Sequence, residues 1–118
     1  MRIIKDIRKT KIKDSNVVLT IGSFDGVHLG HIEIIKEVVS LAHINHGTPC
    51  VMVLRPHPRT YFSPDIPLKI LTSEEKQQSL FRQNGIKITT ILPFNYETAN
   101  LLPEEFITKI LLNFEHLY

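Results

Sequence analysis

Two histidines three residues apart, His28 and His31, lie in a run that also holds Gly22, Gly26 and Gly30: residues 22–31 read GSFDGVHLGH. Glycines at 22 and 26 let the backbone turn sharply and approach a ligand with no Cβ in the way. A helix opening here presents unpaired amides and the positive end of its dipole, a site for an anionic phosphate. Imidazoles three residues apart in a first helical turn share a face. There they can donate hydrogen bonds to phosphate oxygens and stabilise the charge that grows when an α-phosphate is attacked. Two other readings use the same residues. A zinc site would need a third and fourth ligand, with His57 on the following loop the candidate for one of them. A purely structural turn with incidental histidines needs nothing more. The GxGxxG dinucleotide fingerprint is absent from the chain.

The flanking pattern supplies elements to hold this turn. Residues 16–21, NVVLTI, form a short β-branched run closed by Gly22, the mark of a buried strand. Ile34, Ile35, Val38, Leu41 and Ala42 recur at helical spacing, which predicts a helix over residues 30–46, stopped by Gly47 and Pro49. Residues 50–54, CVMVL, predict a second buried strand, so the three elements make a βαβ unit with parallel strands. Pro56, Pro58, Pro64 and Pro67 then predict a long loop. Thr72 and Glu75 read as a capping box opening a helix that stops at Asn84-Gly85. Residues 87–92 predict a third strand, and Pro103 with Glu104 and Glu105 starts a last helix running to about residue 112. The expected fold is α/β: a Rossmann-like, doubly wound parallel sheet, incomplete, with about three of its strands. In such sheets ligands bind at the carboxyl ends of the strands, where residues 22–31 and 55–62 both fall.

Composition narrows the function classes. A chain of 118 residues accommodates one domain, and 42% hydrophobic with 22% charged residues is globular rather than disordered. A net charge of +2 gives no basis for nucleic acid or an acidic membrane surface as partner. The basic residues gather early, at Arg2, Lys5, Arg8, Lys9, Lys11 and Lys13, and read as a solvated edge. The single Cys50 sits in an apolar run, reads as a small buried hydrophobe and suits a reducing compartment. No apolar stretch approaches the roughly 20 residues of a membrane span, and no signal peptide is evident. A cytoplasmic protein is the expectation.

The string TIGSFDGVHLGH at residues 20–31 resembles the opening motif of bacterial FAD synthetases, the FMN adenylyltransferase module of bifunctional riboflavin kinase/FAD synthetases. The likeness continues through Arg55-Pro56-His57-Pro58-Arg59, Phe62, Leu71-Thr72-Ser73, Leu92-Pro93-Phe94 and Pro103-Glu104-Glu105-Phe106. It spans essentially the whole chain, and FDGVHLGH with a downstream PHP is more extended than the HxGH shared with cytidylyltransferases. The resemblance implies that His28 and His31 are the catalytic HxGH pair engaging ATP phosphates. It implies that Gly22, Ser23, Phe24, Asp25 and Gly30 shape the ATP pocket, and that Pro58, Phe62 and Phe106 meet the flavin. An Asx-type turn bond is an equal account of Asp25, and a core role an equal account of Phe106. The implied reaction transfers AMP from ATP to FMN, giving FAD and pyrophosphate. Mg2+ is expected with ATP, and no residue is assigned to it.

Two features depart from that pattern. The family usually has an acidic residue before PHP, where this chain has Arg55, which either assists a phosphate or faces solvent. The chain also reaches Tyr118 without the glycine-rich DFxFG-like and ISST-like segments expected to help bind nucleotide. Glu97-Thr98-Ala99-Asn100 resembles a kinase PTAN motif without its proline and is taken as coincidence. Residues 1–118 are therefore expected to be the N-terminal part of the transferase domain, without the riboflavin kinase domain of a full-length protein. An exposed sheet edge is expected, and the isolated chain is expected to bind ATP weakly without turnover. The alternatives are another small nucleotidyltransferase, such as a cytidylyltransferase, and a catalytically dead nucleotide- or flavin-binding module.

Overall fold

A strand buried on both faces must be apolar almost without interruption, and Thr48–Arg55 meets that condition at the centre of the sheet. The computed structural model describes residues 1–24, 29–55 and 74–118. Its strands are β1 (Arg2–Ile4), β2 (Val17–Gly22), β3 (Thr48–Arg55) and β4 (Ile88–Pro93). They form a parallel sheet in the order β1-β4-β3-β2. The helices are α1 (Leu29–Ile44), α2 (Glu74–Gln83), the four-residue α3 (Tyr96–Ala99) and α4 (Pro103–Lys109), with 3-10 turns at Ile7–Lys9 and Leu111–Asn113.

Alternation along β3 divides the interior into two clusters, one on each face. Val51 and Val53 pack with Val18, Phe24, Ile35, Val38, Ala42, Phe81 and Ile86, beneath α1 and α2. Cys50 and Met52 pack with Ile4, Ile7, Val17, Leu92, Ile110 and Phe114, beneath the N-terminal turn and the C-terminal helical segment. The sheet is thus covered on both faces, as the α/β reading requires. Burial pushes the Cys50 thiol up to about 12, so it is neutral near pH 7 and packs as a hydrophobe.

The structure adds a fourth strand, β1, to the roughly three expected. β1 has three residues, of which one, Ile4, is buried, and it pairs with β4 in the register Arg2↔Ile88. So short an edge strand, set among basic residues, carries no readable periodicity. Part of the basic run is neutralised locally: Arg2 reaches Asp14 at 2.6 Å and Arg8 reaches Asp6 at 2.9 Å. Hydrogen bonding from Arg8 holds the Asp6 carboxyl below the usual carboxylate range. An exposed sheet edge is expected, and at the start of β2 it is covered locally. Val17 donates to His116 O at 2.8 Å and accepts from Tyr118 N at 2.9 Å, so the last residues lie parallel beside β2 there.

The stop after α1 works differently from its sequence signal. Gly47 N donates to Ala42 O at 2.7 Å and His46 N to His43 O at 3.3 Å, the paired bonds of a Schellman ending. The left-handed residue is His46, with φ 51°, and not Gly47. Gly47 is required for close approach, because a Cβ there would lie 2.1 Å from the Asn16 carbonyl oxygen. The end of α2 follows the expected rule: Gly85 has φ 96°, and Ile86 N donates to Phe81 O at 3.1 Å. Gly47→Ala is therefore expected to destabilise the fold by about 2 kcal/mol or more, since backbone has to move. Denaturant unfolding checks this; a change below about 0.5 kcal/mol, the scale of an ordinary surface substitution, contradicts it. Among the described residues no helix is long and apolar enough to cross a membrane.

Candidate functional site

Parallel pairing brings the carboxyl ends of three strands to one edge of the sheet. β2 ends at Gly22 opposite Val53, and β3 ends at Arg55 opposite Pro93 of β4. From Gly22 the chain passes to Ser23 and Phe24, and α1 begins at Leu29. Gly22, Ser23 and Phe24 therefore stand at the edge where sheets of this kind bind ligands.

The sharp change of direction within the described part of this turn is made by a bulky residue. Phe24 has φ 52°, whereas Gly22 is not among the glycines of positive φ. A phenylalanine in the left-handed region is strained by about 1–3 kcal/mol and persists only where its surroundings fix it. Here they do. The ring is 4% exposed and meets Phe81 edge-on, with centroids 5.6 Å apart at 86°. It meets the His31 ring at 5.4 Å and 67°. Such aromatic pairs add about 0.5–1.5 kcal/mol each beyond burial. Gly22 makes room for the ring, since a Cβ there would lie 3.0 Å from Phe24 Cε2. Gly22 thus serves close approach, here to a side chain of the protein itself.

The backbone of the turn is held from α2. Gln77 is 4% exposed, and its Nε2 donates to Phe24 O at 2.8 Å and to Ser23 O at 3.4 Å. Its Oε1 accepts from Arg55 Nη2 at the end of β3. Arg55 Nη1 in turn pairs with Glu74 Oε1 at 2.5 Å. Of the two sequence readings of Arg55, the solvent-facing one is corrected: the side chain is 24% exposed and is engaged by α2.

His31 lies half-buried in the first turn of α1, against Phe24. Gly30 is exposed, and among the described residues a Cβ there would meet nothing within 4 Å. Phe106 packs, half-buried, against the cluster on the opposite face of the sheet, with Leu54 and Leu101. Asp25, Gly26, His28, His57, Pro58 and Phe62 lie outside the described residues, as do the proline-rich loop and Thr72 of the expected capping box. Among the described residues no three His, Cys, Asp or Glu side chains converge to hold a metal ion. Glu97 to Asn100 belong to α3 and its end, where Thr98 N donates to Asn95 Oδ1 at 3.0 Å, so the PTAN-like string is a capped turn.

Sequence reasoning missed Gln77. Its segment, EEKQQSLFRQ, is strongly polar, and nothing in it announces a buried amide. The available signal was the spacing of Gln77 and Phe81, one turn apart, which puts them on the same helix face.

A family model for FAD synthetase matches residues 10–117. The bifunctional riboflavin kinase/FMN adenylyltransferase of Buchnera aphidicola (subsp. Acyrthosiphon pisum, strain APS) is 31% identical over 99% of this chain and 37% of its own length. The protein of the same name from Bacillus subtilis is 32% identical over 90% of the chain and 34% of its own length. A Listeria monocytogenes protein named FAD synthetase is 33% identical over 89% of the chain and 44% of its own length. The chain thus spans well under half the length of these relatives. A solved structure described as a macrolide-efflux protein from Streptococcus pneumoniae superposes with a TM-score of 0.76 over 99% of this chain and 40% of that one, at 19% identity. That likeness concerns the fold.

Proposed function

This chain belongs to the FAD synthetase family, and from that premise we propose that it carries the nucleotide-binding part of an FMN adenylyltransferase. The reaction moves AMP from ATP to FMN and releases pyrophosphate. The observation that carries this reading is the turn at the sheet's carboxyl edge, where His31 opens α1 against the buried ring of Phe24. Support also comes from the exposed Gly30 in the first turn of α1, where a helix N-terminus suits an anionic phosphate.

In the proposed mechanism a phosphate oxygen of FMN attacks the α-phosphorus of ATP, and the bond to the leaving pyrophosphate breaks. No covalent enzyme intermediate is needed; positioning and charge stabilisation supply the catalysis. His28 and His31 donate hydrogen bonds to phosphate oxygens as charge grows there. Gly22, Ser23, Phe24, Asp25 and Gly30 shape the ATP pocket. Pro58 and Phe62 form the flavin side, with Phe106 approaching from the opposite face of the sheet. Mg2+ would accompany the ATP phosphates, where it would neutralise charge on the leaving pyrophosphate. The names of the relatives make a riboflavin kinase domain the proposed companion within the complete protein. The lone buried Cys50 suits a reducing cytoplasm.

The test is incubation of the complete protein with FMN, magnesium and ATP labelled at its α-phosphorus. Label is expected in FAD, and CTP is expected not to substitute for ATP. Label released only as free AMP, or equal use of CTP, overturns the assignment.

A further inference from the structure

Arg55 has only donors to offer, and the carbonyls of Ser23 and Phe24 can only accept. Gln77 lies between them and is buried, so one orientation of its amide satisfies both sides. Oε1 faces Arg55 and Nε2 faces the turn, and these are the contacts present. Glu74 holds the guanidinium from its other nitrogen. The turn so gripped contains the left-handed Phe24, whose ring forms one wall of His31. A charged group at the end of β3 is thereby connected to the imidazole face through one amide.

We propose that Arg55 is a positioning residue for the nucleotide turn: it fixes the orientation of the Gln77 amide, and through it the Ser23–Phe24 backbone and the placement of His31. The sign of the charge at position 55 carries the effect. An acidic side chain there would attract Nε2 of Gln77 and turn Oε1 towards the Phe24 carbonyl, replacing a hydrogen bond with a repulsion. A lysine in place of Gln77 would then restore the bridge, donating both to the acid and to the carbonyl. The functional half of this proposal rests on the nucleotide reading of the turn; the structural half stands without it.

Two measurements separate the halves. In the ligand-free protein, Arg55→Met is expected to shift the amide resonances of Ser23, Phe24 and His31 and to speed hydrogen exchange of the Gln77 side-chain amide, with the thermal transition still cooperative. In the complete protein the same variant is expected to raise KM for ATP about tenfold, the scale of one lost charge-assisted hydrogen bond, with a smaller change in kcat. Arg55→Lys should recover most of this loss. Arg55→Glu should lose the most, and Arg55→Glu with Gln77→Lys should bind ATP more tightly than Arg55→Glu alone. Unshifted Ser23 and Phe24 resonances in Arg55→Met overturn the proposal whatever ATP does. Shifted resonances with an unchanged KM for ATP overturn its functional half. If the unmodified protein binds no ATP, the nucleotide reading fails, and the ligand-free spectra still decide the structural half.

Discussion

His31→Ala in the complete protein is expected to lower the rate of FAD formation about 100- to 1,000-fold, equivalent to roughly 3–4 kcal/mol of lost transition-state stabilisation. The side chain lies in the first turn of α1 at the carboxyl edge of the sheet, where in the proposed mechanism a hydrogen bond to phosphate oxygens would strengthen as their charge grows. The loss should appear mainly in kcat, because the hydrogen bond is worth most in the transition state. His28→Ala is expected to behave alike, since the spacing of the two histidines was the first sign of this chemistry. The fold should survive both changes: α1 is anchored by Ile35, Val38 and Ala42 rather than by its first turn. Steady-state kinetics of FAD formation, with circular dichroism as the control for folding, measures the effect. Turnover near that of the unmodified protein removes the histidines from the mechanism.

Phe24→Ala is expected to cost about 3–5 kcal/mol of stability, the range for truncating a large buried ring. The ring is 4% exposed and wedged between Phe81 and His31, above a glycine that leaves room for it. The left-handed backbone at φ 52° adds a sharper expectation. Glycine usually destabilises relative to alanine by about 0.5–1 kcal/mol, but at a left-handed position it relieves strain that alanine retains. Phe24→Gly should therefore be at least as stable as Phe24→Ala. Denaturant unfolding of the pair decides it. A Phe24→Gly protein weaker than Phe24→Ala by the ordinary helix or strand margin contradicts the left-handed assignment.

The parts of the fold legible in the sequence are those that local pattern dictates. β3 is an unbroken apolar run because it is covered on both faces, and α1 shows the spacing of its buried side, Ile35, Val38 and Ala42. Asn84-Gly85 stops α2 chiefly through the left-handed backbone of Gly85, so the rule transfers directly. The sequence was less informative where a distant contact decides. β1 exists because β4 offers it an edge, and three residues cannot announce that. Gly47 follows the end of α1 as its residue type suggests, but its constraint is the Asn16 carbonyl, thirty-one positions away in sequence.

The site divides in the same way. The glycines and histidines of residues 22–31 stand out in the sequence because the proposed phosphate chemistry calls for those residue types in a short string. The support behind it, Arg55 to Gln77 to the carbonyls of Ser23 and Phe24, joins three separate elements and leaves no local trace. Strain concentrated in Phe24 followed neither propensity nor motif, and functional turns are where such local rules are most often broken.

Binding of ATP at the turn is the claim on which the mechanism and the functional half of the role of Arg55 both depend. Titration of isotopically labelled protein with ATP and magnesium, followed by two-dimensional NMR, tests it most directly. Saturable shifts are expected at Gly22, Ser23, Phe24, Gly30 and His31, with CTP producing weaker ones at the same concentration. Resonances of these five residues that stay in place at saturating ATP, or shifts confined to the opposite face around Ile110 and Phe114, would contradict the account.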